Sequence, residues 1–493
     1  MEVVLLRFPH IGYQIFEQLD NPFLTICREV SKSWEKFIDN DKLPWIRKIV
    51  QNIKPLTKSW KLFFQKFDVK SLIEMTTIII MKHRYCLLEN TVPLHFAAVM
   101  GNIEMIKRLL QKGAQLNATD FTGCTPLHYA AEGGFLETCW LIIDKVVDKN
   151  PRNNSGTTPL HHAAKGGFLE ICQLINDNSI DKNPATISFY IDDVAGITPL
   201  HHAAKEGFLE ICQLIIHKAI DKNPNDESGI TPLHLAADGG FLDICQLIID
   251  KVIDKNPRDE SGITPLHHAA VGGFFEICQL IIDNVIDANP NDESGITPFH
   301  HAAARGFLEI CQLLIDKLID KNPREVSGIT PLHAAAGYGF FEICKLIIDK
   351  LIVKNPKDDS GMTPLHCAAE GGFLEICQLI SDELNDKNPK DESGNTPLHS
   401  SVISGNLAIF KLISKNKEDK NPKDENGTTP LHIAAKLDNF EIFKFIFDKV
   451  DDKNPMDNDG FTPLYYAASK GSLSISQLMI ENGQFTLLEL PLN

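Results

Sequence analysis

A proline recurs through this chain at a nearly fixed interval, and that interval limits the possible folds more than any other feature. The proline of the phrase Thr-Pro-Leu-His stands at Pro93, Pro126, Pro159, Pro199, Pro232, Pro265, Pro298, Pro331, Pro364, Pro397, Pro430 and Pro463. Every step is 33 residues except Pro159 to Pro199, which is 40. Such a period implies twelve copies of one supersecondary unit, with a seven-residue insertion near 185–191. A chain of 493 residues is too long for one ordinary core, and stacked copies remove the need for one.

The unit Asn225–Pro257 shows why each copy folds. Asp-Glu-Ser-Gly is a turn signal, with Gly229 free to take positive φ. Thr231 is a helix N-cap, and Pro232 suits the first helical position, where its missing N–H costs nothing. Leu233, Ala236 and Ala237 mark the buried face of a short helix, which Gly239–Gly240 ends. Phe241 to about Lys251 reads as a second helix, with Ile244, Leu247 and Ile248 in an apolar stripe. Neither helix buries its stripe alone, so the expected fold is an all-α solenoid of helix–turn–helix units with short turn fingers. At 8–10 Å per layer it would span roughly 100–120 Å.

The unit closely resembles the ankyrin repeat in its length and its Gly-x-Thr-Pro-Leu-His-x-Ala-Ala phrase. "RLLQKGAQLNATDFTGCTPLHYAA" comes nearest the usual wording, whereas most copies carry "LIIDKVIDKNP" instead. The resemblance covers residues 89–484 and implies a non-enzymatic protein-binding array. Its partner surface would be the concave side, made of the first helices and the turn tips.

Fifteen of the 18 histidines lie in the recurring phrase. The first of each pair, as in His201, His234 and His267, sits at the third helical position, where its ring can bond the Thr cap or the preceding turn. The second occurs only as His162, His202, His268 and His301. Zinc holds nitrogen at about 2.0–2.1 Å, so layers 8–10 Å apart cannot share one ion through these residues. A partner-contact stripe and drift among duplicates both remain open. Eight cysteines hold one place in the second helix, Cys139 to Cys377, and read as small buried hydrophobes. No nucleotide, hydrolase or metalloprotease motif is present, so neither catalysis nor a cofactor is expected.

Departures from the phrase name the candidate contacts. The insertion brings Ile187, Phe189, Tyr190 and Ile191 into an extended loop, either a binding finger or a tolerated indel. Variable first-helix positions add Tyr129, Leu235 and Tyr338, with Arg305 at a neighbouring slot. Serines in the last unit suit the polar outer face of a terminal cap.

Residues 1–88 do not repeat. The first 50 resemble an F-box through Phe8–Pro9, Ile15–Phe16, Leu19, Leu24, Cys27, Val30, Trp34, Leu43 and Trp45. Two details depart from that pattern: the spacing from Phe8–Pro9 to Ile15–Phe16 is one residue short, and Pro44 splits the final Leu-Trp pair. The expected organisation is a helical F-box-like domain at 1–50, a helical linker at 51–88, the array at 89–484 and a tail at 485–493. The F-box resemblance implies docking on a Skp-type adaptor through Phe8, Pro9, Ile15, Phe16, Leu19, Leu24 and Trp34, making the chain the substrate receptor of a cullin-type ubiquitin ligase. The alternative is a plain scaffold whose N-terminal helices only cap the solenoid.

Charge is uneven. Residues 1–88 hold 14 basic and 9 acidic side chains, and the remainder 34 and 56, within a net charge of −17. An acidic array repels nucleic acid and favours basic protein partners. No apolar run is long enough to span a membrane and no secretory leader is evident. A monomer in the cytoplasm or nucleus is expected.

Overall fold

The computed structural model describes residues 93–482, apart from 121, 188–193, 385, 416 and 418. The F-box-like segment, the 51–88 linker and the tail fall outside the described residues, as do Phe189, Tyr190 and Ile191. Among the described residues there are 24 helices and no strand, two helices for each recurring proline. The chain divides into two compact units, one ending at Pro232 and the other beginning at Leu233.

In the first unit, short helices start at Pro93, Pro126, Pro159 and Pro199. Their longer partners are Ile103–Gln111, Leu136–Ile143, Leu169–Asn178 and Leu209–Lys218. The second unit continues the alternation from Pro232–Asp238 to Leu473–Glu481. Within each unit first helices stack on first helices and second helices on second helices. This is the all-α repeat architecture that the period implies.

Most of the short helices are nucleated by their own caps. In repeats 2 to 4 and 6 to 11 the Thr hydroxyl oxygen accepts from the backbone N–H of the histidine, and the Thr N–H donates to the histidine ring. This is a capping box with histidine in the place usually held by Glu or Gln. The alanines then let helices approach closely, with Ala269 and Ala270 at 0% exposure.

The second helix buries a broader stripe than the expected one, which shares Ile244 and Ile248 with it. Ile244, Cys245, Ile248 and Ile249 are buried, while Leu247 is only half-buried. A second helix packs against its own first helix and its neighbours on both sides, so its buried face is broad and Leu247 sits at the margin. The turn between the helices requires glycine for two reasons. Gly240 has φ +75°, and an added Cβ would lie 2.6 Å from the Phe274 ring of the next repeat.

The Asp-Lys-Asn-Pro phrase after the second helix divides its labour. The aspartate closes the turn, as Asp254 Oδ1 accepts from the Asn256 N–H at 3.1 Å. The lysine reaches back to the helix end, as Lys321 Nζ donates to the Ile315 carbonyl at 2.7 Å. The asparagine reaches forward, as Asn256 Oδ1 accepts from the Leu266 N–H at 2.9 Å, inside the next short helix. The finger is held likewise: Asp259 Oδ1 accepts from the Ser261 and Ile263 N–H groups. The Glu293 N–H donates to the Ser261 carbonyl one finger back, at 3.0 Å.

The insertion leaves these ties intact. Thr186 and Ile197 close its base, with Thr186 N–H donating to the Ile197 carbonyl at 2.8 Å. Ile187 N–H still bonds the Ser155 carbonyl of the preceding finger at 2.9 Å. His161 still reaches the Ile197 carbonyl at 3.1 Å, now across 36 residues.

Candidate functional site

Two rows of histidine run along the first helices, and they do different things. The first histidine of every pair is buried and used twice. Its Nδ1 accepts from the Thr N–H, 3.1 Å for Thr264 and His267. Its Nε2 therefore carries the proton and donates to a carbonyl in the next repeat, 3.2 Å from His267 to Ile296. The same bond joins His95 to Cys124, His128 to Thr157 and His201 to Ile230 in the first unit. In the second unit it runs from His234 to Ile263 and on through His432 to Phe461. Burial holds these rings neutral: it drives the His128 pKa down to about 3, and those of His234, His267, His300 and His366 to about 4.

The second histidine is half-buried, and much of its ring is already committed. His162 stands edge-on to His128 at 5.9 Å, and His202 to His161 at 6.0 Å. In the second unit His268 meets His234 and His301 meets His267, both at 6.0 Å. Burial, and then Lys165, lower the His202 pKa to about 4. His268 adds a tie to Asp238, Nδ1 to Oδ1 at 3.2 Å. Each second ring thus braces the layer before it and offers only its outer edge.

Tyr129 holds the same place in repeat 2, and the structure commits it further. It is 8% exposed, stands edge-on to His95 at 5.8 Å, and its hydroxyl donates to Asp120 Oδ2 at 2.6 Å. Little of Tyr129 is left for a partner.

The remaining candidates come together in the second unit. Leu235, His268, His301 and Ala334 form one half-buried row. Beside it Val271, Ala304 and Gly337 replace the charged residues found elsewhere, and Arg305 and Tyr338 stand exposed next to them. Tyr338 is 66% exposed. Asp238 and Glu370 lie at the two ends. The finger of repeat 8 also turns apolar, with exposed Val326 where the preceding finger has Glu293. Val326 escaped attention in the sequence because fingers were read only as turns, although the change from Asp-Glu-Ser-Gly to Glu-Val-Ser-Gly is visible. The result is a strip poor in charge, apart from Arg305, between acidic ends.

Among the described residues no group of three or more His, Cys, Asp or Glu is placed to hold a metal ion. Burial pushes the thiols of Cys139, Cys172, Cys212, Cys245, Cys278, Cys344 and Cys377 up to about 12, far from nucleophilic use. No helix among the described residues is long and apolar enough to cross a membrane.

A family model described as ankyrin repeats (3 copies) matches overlapping segments that run from residue 68 to residue 488. No curated protein is significantly similar to the chain.

Proposed function

Because the chain belongs to the ankyrin-repeat family, whose arrays are protein-binding modules, we propose that it is a substrate-recognition subunit. Residues 1–50 dock on a Skp-type adaptor of a cullin-type ubiquitin ligase, and the array holds the client. The strip on the first helices of the second unit carries the client half of this reading. Its low charge between Asp238 and Glu370 suits a segment with an apolar centre and basic flanks. The adaptor half rests on the F-box-like residues Phe8, Pro9, Ile15, Phe16, Leu19, Leu24 and Trp34. The chemistry belongs to the partners, and the chain works in the cytoplasm or nucleus.

One observation favours the plain scaffold instead. The family match begins at residue 68, inside the segment read as a linker, so the likeness to the repeats reaches into that segment.

The test is recovery of the Skp-type adaptor and cullin on the tagged full chain, beside a chain lacking residues 1–50. Adaptor bound to the full chain and lost on truncation supports the receptor. Adaptor absent from both, with the truncated chain aggregating, leaves the scaffold.

A further inference from the structure

The second helices of repeats 6 to 8, Phe275–Asn284, Leu308–Lys317 and Phe341–Ile348, form a groove of about 840 Å³. Its apolar lining is Phe275, Leu308, Leu313 and Leu346. Leu308 is 40% exposed, and the other three are half-buried. Leu313 and Leu346 are the counterparts of Leu247, the leucine at the margin of the buried face. The groove lies wholly in the second unit, and its lining is separate from the first-helix strip.

The rim is acidic, and its charge is unanswered. Glu276, Glu309 and Glu342 stand exposed, one per layer, with exposed Asp349 just past the third helix. Lys345 is the one basic side chain of the lining, and Glu342 and Asp349 flank it in its own repeat. Among the described residues no Lys or Arg comes within ion-pair distance of the three glutamates. Repeat 1 does otherwise: Glu104 holds the same place, and Arg108, four residues on, meets it at 3.1 Å. Repeats 6 to 8 put Leu280, Leu313 and Leu346 where Arg108 stands. Toward the other ends of these helices the polar groups are already engaged. Gln279 Nε2 donates to Asp283 Oδ2 at 2.6 Å, Gln312 Nε2 to Asp316 Oδ2 at 2.9 Å, and Lys317 lies 3.8 Å from Asp283.

We propose that this groove docks a basic amphipathic helix of a partner protein. The lining receives the helix's apolar face, and the glutamates meet its Lys and Arg. Spacing supports a helix. Carboxylates one layer apart stand about 8–10 Å from one another. Two helical turns rise about 10.8 Å, so a basic residue at every seventh position meets them nearly in register. The groove crosses three layers, roughly 16–20 Å, which a helix of about 14 residues spans. An acidic helix is refused by the same row. This surface is additional to the client strip, and it holds whether or not residues 1–50 bind an adaptor.

The test uses a synthetic helix of about 16 residues, with leucine on one face and lysine at every seventh position, titrated into the full chain and followed by fluorescence anisotropy. Saturable binding at micromolar concentration is expected. Glu276→Gln, Glu309→Gln and Glu342→Gln together remove three exposed pairs and should weaken it about tenfold. Leu308→Gln should weaken it by about tenfold as well. All four are surface positions, and circular dichroism checks that the variants stay folded. No saturable binding to the native chain overturns the proposal. So does equal binding of a scrambled peptide of the same composition, or binding that both groove variants leave intact. Binding that Tyr338→Ala abolishes belongs to the first-helix strip, and overturns it too.

Discussion

At the scale of the residue, the first histidine of each pair carries the structure. It satisfies a buried Thr N–H in its own repeat and a buried carbonyl in the next, so removing it strands polar groups in two layers. His267→Ala is expected to destabilise the second unit by about 2–4 kcal/mol, read as a lower urea midpoint. The same residues give the array a pH dependence. Folded rings such as His267 and His366 hold their pKa near about 4, whereas unfolded histidine titrates near about 6.5. Above that value their contribution is complete. As pH falls through the window between the two, the unfolded chain takes up protons that the folded chain refuses, so stability falls. Each histidine in a cooperative unit adds a slope of about 1.4 kcal/mol per pH unit. Urea midpoints should therefore drop steeply between about pH 6.5 and pH 4, and a flat profile there would refute the neutral ladder.

At the scale of the element, the helix pairs were readable from the sequence because every copy names its own ties. Thr and Pro mark the start of the short helix, Gly-Gly its end, and Asp-Lys-Asn-Pro the exit from the long one. In the long helix Ile244 and Ile248 were read as buried and are, whereas Leu247 fits a narrow stripe as well as Ile249 does until its neighbours are in place. Tyr129 was read as a candidate contact because its partner, Asp120, lies on the finger nine residues earlier, a contact that periodicity does not report. The exposed Ile253 and its counterparts drew no reading, being apolar residues next to an apolar helix. Placement also reveals a weak point. Ser381 sits where the preceding repeat has Ile348, at 0% exposure and with no partner for its hydroxyl. Ser381→Ile is expected to raise stability by about 1–3 kcal/mol, measured by urea unfolding. The buried cysteines of these helices should stay silent to a thiol reagent in native buffer, and react only at the rate at which the array opens. Prompt labelling of Cys278 in the native chain would contradict its burial.

At the scale of the whole molecule, the repeats are close to interchangeable. Excising residues 265–297 would join Thr264 to Pro298, the same Thr-Pro step as before, and leave His234 facing the carbonyl of Ile263. The shortened chain is expected to keep its helical signal per residue and to unfold cooperatively, checked by circular dichroism in urea; aggregation on expression would show that the copies are not equivalent. The unusual repeats are where equivalence stops: the insertion between repeats 3 and 4, and the strip and groove of repeats 6 to 8. The bond from histidine to the following layer has a genetic corollary. Since any copy accepts any other as its successor, unequal recombination between near-identical stretches of coding sequence can lengthen or shorten the protein in whole notches, each one viable. Binding valence then becomes a quantity that a lineage can adjust by counting, with no new side chain invented at any step.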